Sequence, residues 1–152
     1  MEKLFEINVR ITAFNQVKTE KTCVNFINFD GDCSAPFFEG SILPGGVDTQ
    51  KFEEGKCGTL SARYILKGKD AGGRETCLFI ENNGTFKEDG SIETEPKILC
   101  DNEELAPLFA GRLSGRIREV DCPEHNRIVI EIYKHKSQTV ASVARIRSSG
   151  AI

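Results

Sequence analysis

The sequence contains no Cys-x-x-Cys pair, no Gly-x-Ser-x-Gly stretch and no glycine loop ending in Gly-Lys-Ser/Thr, and it has only two histidines. Each absence removes a class of chemistry. Without cysteines at metal or redox spacing, Cys23, Cys33, Cys57, Cys77, Cys100 and Cys122 read as small buried hydrophobes, not as zinc ligands or a redox pair. A catalytic thiol needs a nearby imidazole, and the two available are poorly placed. His125 lies in the polar turn "DCPEHN", and His135 sits between Lys134 and Lys136. The same scarcity argues against a metal site. With no nucleophile elbow, a serine hydrolase triad has no support.

Long apolar runs are also missing. None approaches the ~18 residues of a membrane span. The start, "MEKLFEINVR", mixes charged and apolar residues within its first seven positions, where a secretory signal needs an unbroken apolar core. The chain therefore reads as cytoplasmic, with free thiols and no membrane partner. There is no basic excess either. The net charge is −3 and the isoelectric point about 5.5, which argues against a nucleic-acid partner. Trp is absent, while Phe occurs 10 times.

What is present is a period of two. The 152 residues are 39 % hydrophobic and 28 % charged, suited to one domain with a sizeable core and too apolar for disorder. "LFEINVRIT" (4–12) puts Phe5, Ile7, Val9 and Ile11 on one face. "TCVNFINF" (22–29) reads as a strand ended by the turn signal "DGD". "APFFEGSIL" (35–43) reads as a short strand broken or bulged at Gly40. "GTLSARYILKG" (58–68) puts Leu60, Ala62, Tyr64 and Leu66 on one face, with Thr59, Ser61, Arg63 and Ile65 on the other. "KDAGGRE" is a hairpin loop, "TCLFIEN" (76–82) the returning strand, and "NG" (83–84) a further turn. "AGRLSGRIREV" (110–120) and "RIVIEIYKHK" (127–136) are further strands. Helical patterning is confined to "DNEELAPLFAG" (101–111), where Asp101 or Asn102 can cap and Pro107 limits the helix to about one turn. The segment 137–152 reads either as a disordered end or as a final irregular strand. The expected fold is all-β: a single closed antiparallel β-barrel of about eight strands with little helix, over residues 1–136. Such a barrel is filled by side chains or holds one small ligand.

The runs "FFEGSILPGGVDTQ", "GTLSARYILKG" and "ETCLFIENNG" resemble the domain-of-unknown-function 3237 family, also called UPF0311. The matching positions are Phe38 and Gly40, Leu43 to Asp48, Ala62 to Tyr64, and Asn82 with Gly84. The resemblance is strongest over about residues 36 to 84 and loosens toward "FAGRLSG" and "RIVIEIYKHK". Thr49 stands where the family commonly has Trp, and the family's central Trp-Leu-Asn stretch is not recognisable. The resemblance implies a small closed β-barrel of calycin-like type. It carries over no catalytic residue.

Four residues are candidates for ligand contact: Asp48, Arg63, Tyr64 and Glu81. Pro44-Gly45-Gly46 suits a type II turn connecting two strands, which would place Asp48 at a barrel mouth. Arg63 is one step out of phase with Leu60, Ala62, Tyr64 and Leu66. If those four face the lumen, Arg63 is solvated. If they face outward, it is buried and needs a carboxylate, which Asp48 or Glu81 can supply. Tyr64 carries an apolar body with a polar tip. Glu81 shares phase with Cys77 and Phe79, and pointed inward it would serve as an acid or base. The leading function is therefore a barrel binding a small apolar or aromatic molecule, with no cofactor. The alternatives are a cofactor-free cyclase- or isomerase-type enzyme and an interaction domain forming a homodimer through strand edges or its Phe-rich surface.

Overall fold

The computed structural model describes residues 1–136. Both readings of 137–152 lie outside the described residues. Nine strands and one short helical turn follow in order: β1 (Glu2–Lys18), β2 (Thr22–Ala35), β3 (Phe38–Ile42), β4 (Val47–Glu53), β5 (Thr59–Asp70), β6 (Glu75–Phe86), β7 (Ile92–Cys100), a 3₁₀ turn (Ala106–Phe109), β8 (Leu113–Glu119) and β9 (Arg127–Lys134). All neighbours pair antiparallel, and β1 meets β2 on one side and β9 on the other. The sheet therefore closes on itself. β3 and β4 both lie between β2 and β5, so nine strands fill eight positions of an up-and-down ring.

Alternation sets what faces in. Leu60, Ala62, Tyr64 and Leu66 on β5, Leu78 and Ile80 on β6, and Phe5, Ile7 and Val9 on β1 are all buried. One end of the ring is closed by rings of Phe5, Phe37 and Phe109, packed edge to face with centroids 5.7 to 5.9 Å apart. Phe109 arrives on the 3₁₀ turn, which Pro107 keeps short. Asn102 anchors this end. Its Nδ2 donates to Asp70 Oδ2 (2.9 Å) and Thr76 Oγ1 (3.0 Å), while its Oδ1 accepts from the Glu104 and Leu105 amides.

The opposite end is less enclosed. β1 pairs with β9 only as far as Arg10, so its second half has β2 alone beside it. Phe14 is accordingly 57 % exposed although it shares a face with Ile27 of the interior.

Three turn expectations are corrected. The "DGD" stretch does not end β2: Asp30, Gly31 and Asp32 pair with Arg10, Val9 and Asn8, and the strand runs to Ala35. "NG" at 83–84 is not a turn: Asn83 and Gly84 pair with Ser61 and Leu60 on one side and Glu95 and Thr94 on the other. Gly40 does not break β3. It pairs with Gly68, and a Cβ on Gly68 would lie 1.9 Å from the Glu39 carbonyl, so the glycines let two backbones touch. In all three places ladder pairing outweighs local turn chemistry.

Candidate functional site

The stretch Leu43–Gly46 is not a corner between two neighbouring strands. β3 and β4 run in the same direction in one slot, and the loop is a blister in that slot. Between Ile42↔Leu66 and Val47↔Arg63 the chain advances five residues while β5 advances three, so two residues are extra. An even insertion preserves the pleat phase, and Ile42 and Asp48 both point inward. Gly45 takes φ 108°, the left-handed value a type II turn needs at its third position. The blister is tied at both ends, with Leu43 N donating to Ile65 O (2.9 Å) and Phe29 N to Gly46 O (3.2 Å).

Beyond the blister, β4 sends Asp48, Gln50 and Phe52 inward. Asp48 lies opposite Ile27 on β2 and Ala62 on β5, and Ala62 lies opposite Asn82 on β6. On the next row toward the open end, Gln50 lies opposite Asn25, and Asn25 opposite Gln16. These side chains form a ladder. Gln16 Nε2 donates to Asn25 Oδ1 (2.9 Å), Asn25 Nδ2 to Gln50 Oε1 (3.3 Å), and Gln50 Nε2 to Asp48 Oδ2 (3.1 Å). The other Asp48 oxygen, Oδ1, is buried and has no hydrogen-bond partner among the described residues. The same holds for Asn82 Oδ1, on a residue only 4 % exposed. Burial pushes the Asp48 carboxyl above its ordinary range, and the Gln50 N–H offsets part of that rise.

Tyr64 is 3 % exposed and meets Phe29 edge to face at 5.2 Å. Its hydroxyl has no partner among the described residues. Burial first, and the neighbouring Cys33 second, raise the Tyr64 phenol far above its usual value. Burial likewise holds the Cys33 thiol up at about 12, with Asp32 adding to the effect. Tyr64 and Asp48 thus share the interior, but no hydrogen bond joins the Tyr64 hydroxyl to Asp48.

Arg63 and Glu81 are on the other side of the sheet. Arg63 Nε lies 3.1 Å from Glu81 Oε2, with the arginine side chain 61 % exposed. The pair sits on the outer face because Leu60, Ala62, Tyr64 and Leu66 take the lumen, and Cys77, Phe79 and Glu81 take the phase opposite Leu78 and Ile80. The luminal clamp joining Arg63 to Asp48 is therefore not assembled, and an inward Glu81 is corrected as well. Arg63 instead borders an outer groove of about 280 Å³ beneath the blister, with Leu43, Val47, Ile65 and Phe79.

Sequence reasoning missed Gln16, Asn25, Gln50 and Asn82. Two of them carried a usable signal: Asn82 continues the inward series Leu78, Ile80, and Gln50 follows Asp48 at period two. Gln16 did not. The β1–β2 register shifts between Ile11 and Ala13, which moves the inward phase from odd to even positions and turns Gln16 in. Elsewhere, Ser114 Oγ on β8 and His135 Nε2 just past β9 lie 2.5 Å apart, with no carboxylate hydrogen-bonded to that ring among the described residues.

Residues 1–120 match the family described as "Protein of unknown function (DUF3237)". The chain belongs to the DUF3237 family. A UPF0311 protein of Clostridium acetobutylicum is 44 % identical over 55 residues, which are 36 % of this chain and 32 % of that protein, so the aligned stretch spans about a third of the relative's length. Solved structures share the DUF3237 chain's fold. A protein of unknown function from Clostridium acetobutylicum superposes with a TM-score of 0.71 at 19 % identity, covering 89 % of this chain and 98 % of that one. A conserved protein of unknown function from Rhodopseudomonas palustris gives 0.65 at 19 % identity over 86 % and 93 %. A beta-barrel like protein from Acinetobacter baumannii gives 0.63 at 13 % identity over 87 % and 92 %. At these identities the likeness concerns the fold. Among the described residues, no helix is long and apolar enough to cross a membrane.

Proposed function

We propose that this DUF3237 chain binds a small apolar or aromatic molecule inside its barrel, with Asp48 orienting the molecule's polar end. One observation carries the reading. A buried carboxylate oxygen has no partner among the described residues, at the inner end of a ladder of side-chain amides that starts at the open end of the ring. An unpaired buried acceptor costs ~1–3 kcal/mol, and a ligand donor would recover that cost. Phe29, Ala62 and Tyr64 supply apolar surface beside it. The up-and-down ring fits a calycin-like ligand barrel, and six unpaired cysteines suit a reducing, cytoplasmic setting. A second reading, acid–base catalysis by Asp48, draws on its raised proton affinity.

A thermal-shift screen of small metabolites against the wild type and Asp48→Ala tests the proposal. Compounds that stabilise the wild type are expected to lose most of their shift in the variant. If every stabilising compound shifts both proteins equally, or none shifts the wild type, the reading fails. A turnover assay on the hits then separates binder from enzyme.

A further inference from the structure

We infer that the ligand's buried end is an ammonium group carried on an apolar or aromatic body, an inference that rests on the luminal binding proposed above. The direction of the amide ladder is the first argument. An ionised Asp48 can only accept, so the NH₂ of Gln50 must face it. Gln50 Oε1 then faces away and must receive the NH₂ of Asn25. Asn25 Oδ1 is left to accept from Gln16 and from the Cys23 thiol (3.6 Å). The carboxylate thus sets the orientation of every amide in the row, and each amide N–H points toward it. The aligned dipoles favour negative charge at the inner end.

The ladder spends one N–H of each amide on its neighbour. What it leaves open at the inner end are acceptors: Asp48 Oδ1, and Asn82 Oδ1 across the short Ala62 side chain. These two acceptors call for a group that brings several donors. Charge is the second argument. A buried carboxylate is stabilised chiefly by a counter-charge, and among the described residues none is bonded to Asp48. Lys51, the cation nearest in sequence, is paired with Glu53, and Arg63 is on the outer face and engaged with Glu81. The missing positive charge would come with the ligand. A neutral hydroxyl satisfies one lone pair and leaves the charge unmatched, and a ligand carboxylate would be repelled. The approach suits such a molecule. Phe14 on the Asp48 row is largely exposed, and Phe52, the next inward residue after Gln50, pairs with Phe86 at 5.0 Å. Aromatic faces attract cations as well as aryl groups.

Three probes of one skeleton separate the cases: 2-phenylethylamine, 2-phenylethanol and 3-phenylpropionate, each titrated calorimetrically into the full chain near neutral pH. The amine is expected to bind at least ~10-fold tighter than the alcohol, with no binding of the carboxylate, the span of one added charge–charge contact. In Asp48→Asn the amine advantage should fall below ~3-fold, while Arg63→Ala, on the outer face, should keep it. Equal binding of amine and alcohol by the wild type overturns the inference, and so does an amine preference that survives Asp48→Asn. If the alcohol binds as well as the amine and Ala62→Phe abolishes both, luminal binding stands and the ammonium class falls. If no probe binds, both readings fall. The wild-type comparison decides the matter even if a variant does not fold.

Discussion

Asp48 holds a carboxylate oxygen that is buried and has no hydrogen-bond partner among the described residues. Its pKa is raised by burial, so the folded chain holds the proton more tightly than the unfolded one. For an acid shifted in this direction, the stabilising share is present below the unfolded value and is lost as pH rises through the folded one. Asp48→Asn keeps an acceptor for Gln50 and places an NH₂ where Oδ1 now lacks a partner. The variant should be more stable than the wild type near pH 7, by on the order of 1 kcal/mol, and indistinguishable from it near pH 3. Denaturant melts across that range check this, and a loss of stability at pH 7 would contradict it. Asp70 behaves oppositely. The Arg74 and Gly72 backbone amides and the Asn102 side chain hold it below the usual carboxylate range, so its share appears above the unfolded value and is lost on acidification. At this scale the sequence was informative but conditional. Arg63 was legible as solvated only if Ala62 and Tyr64 faced in, and that condition belongs to the pairing of β5. For Glu81, sharing phase with Phe79 left the direction open, and Phe79 is itself an outer-face residue.

Among the elements, the short ones depend most on specific bonds. The 3₁₀ turn and the β5–β6 hairpin meet at Asn102, which is almost fully buried and makes four hydrogen bonds through its side chain. Asn102→Ala leaves Thr76 and the Asp70 carboxylate each short of a donor. A loss of roughly 2–4 kcal/mol in chemical denaturation is expected, at about 1 kcal/mol per bond. A change below half of that would mean the closed end is held by the Phe5, Phe37 and Phe109 packing alone. The one-turn limit was readable, because a nearby proline acts locally; the 3₁₀ turn itself starts after Leu105 without a side-chain cap, and Asn102 binds the amides of the turn that precedes it. The "DGD" and "NG" signals failed for the converse reason. Glycines there serve backbones approaching across the sheet, a requirement set by residues roughly twenty positions away and invisible in a local window.

For the whole molecule, the ring is unevenly sealed. The β5–β6 ladder is unbroken from Thr59↔Thr85 to Lys69↔Glu75, while β7 and β8 share one ladder pair among the described residues, Thr94↔Gly115. Hydrogen exchange should therefore be slowest in β5 and β6 and fastest in β8, with the outer half of β1 next, where the β9 partner is lost after Arg10. Uniform protection around the ring would contradict this picture. The sequence by itself determined the all-β class and the inward residues of β5, because a period of two with apolar residues on one phase can bury its apolar face only in a sheet. It also marked Asp48 and Tyr64 as polar groups worth following. Only the tertiary structure decided that β3 and β4 share one slot, that Arg63 turns out, that Gln16, Asn25 and Gln50 line up in a ladder ending on Asp48, and that Asn82 falls on the Asp48 row. The reason is geometric. Strand phase is a local property, but which phase faces inward, and which rows lie side by side, depend on bulges and register summed around a closed ring.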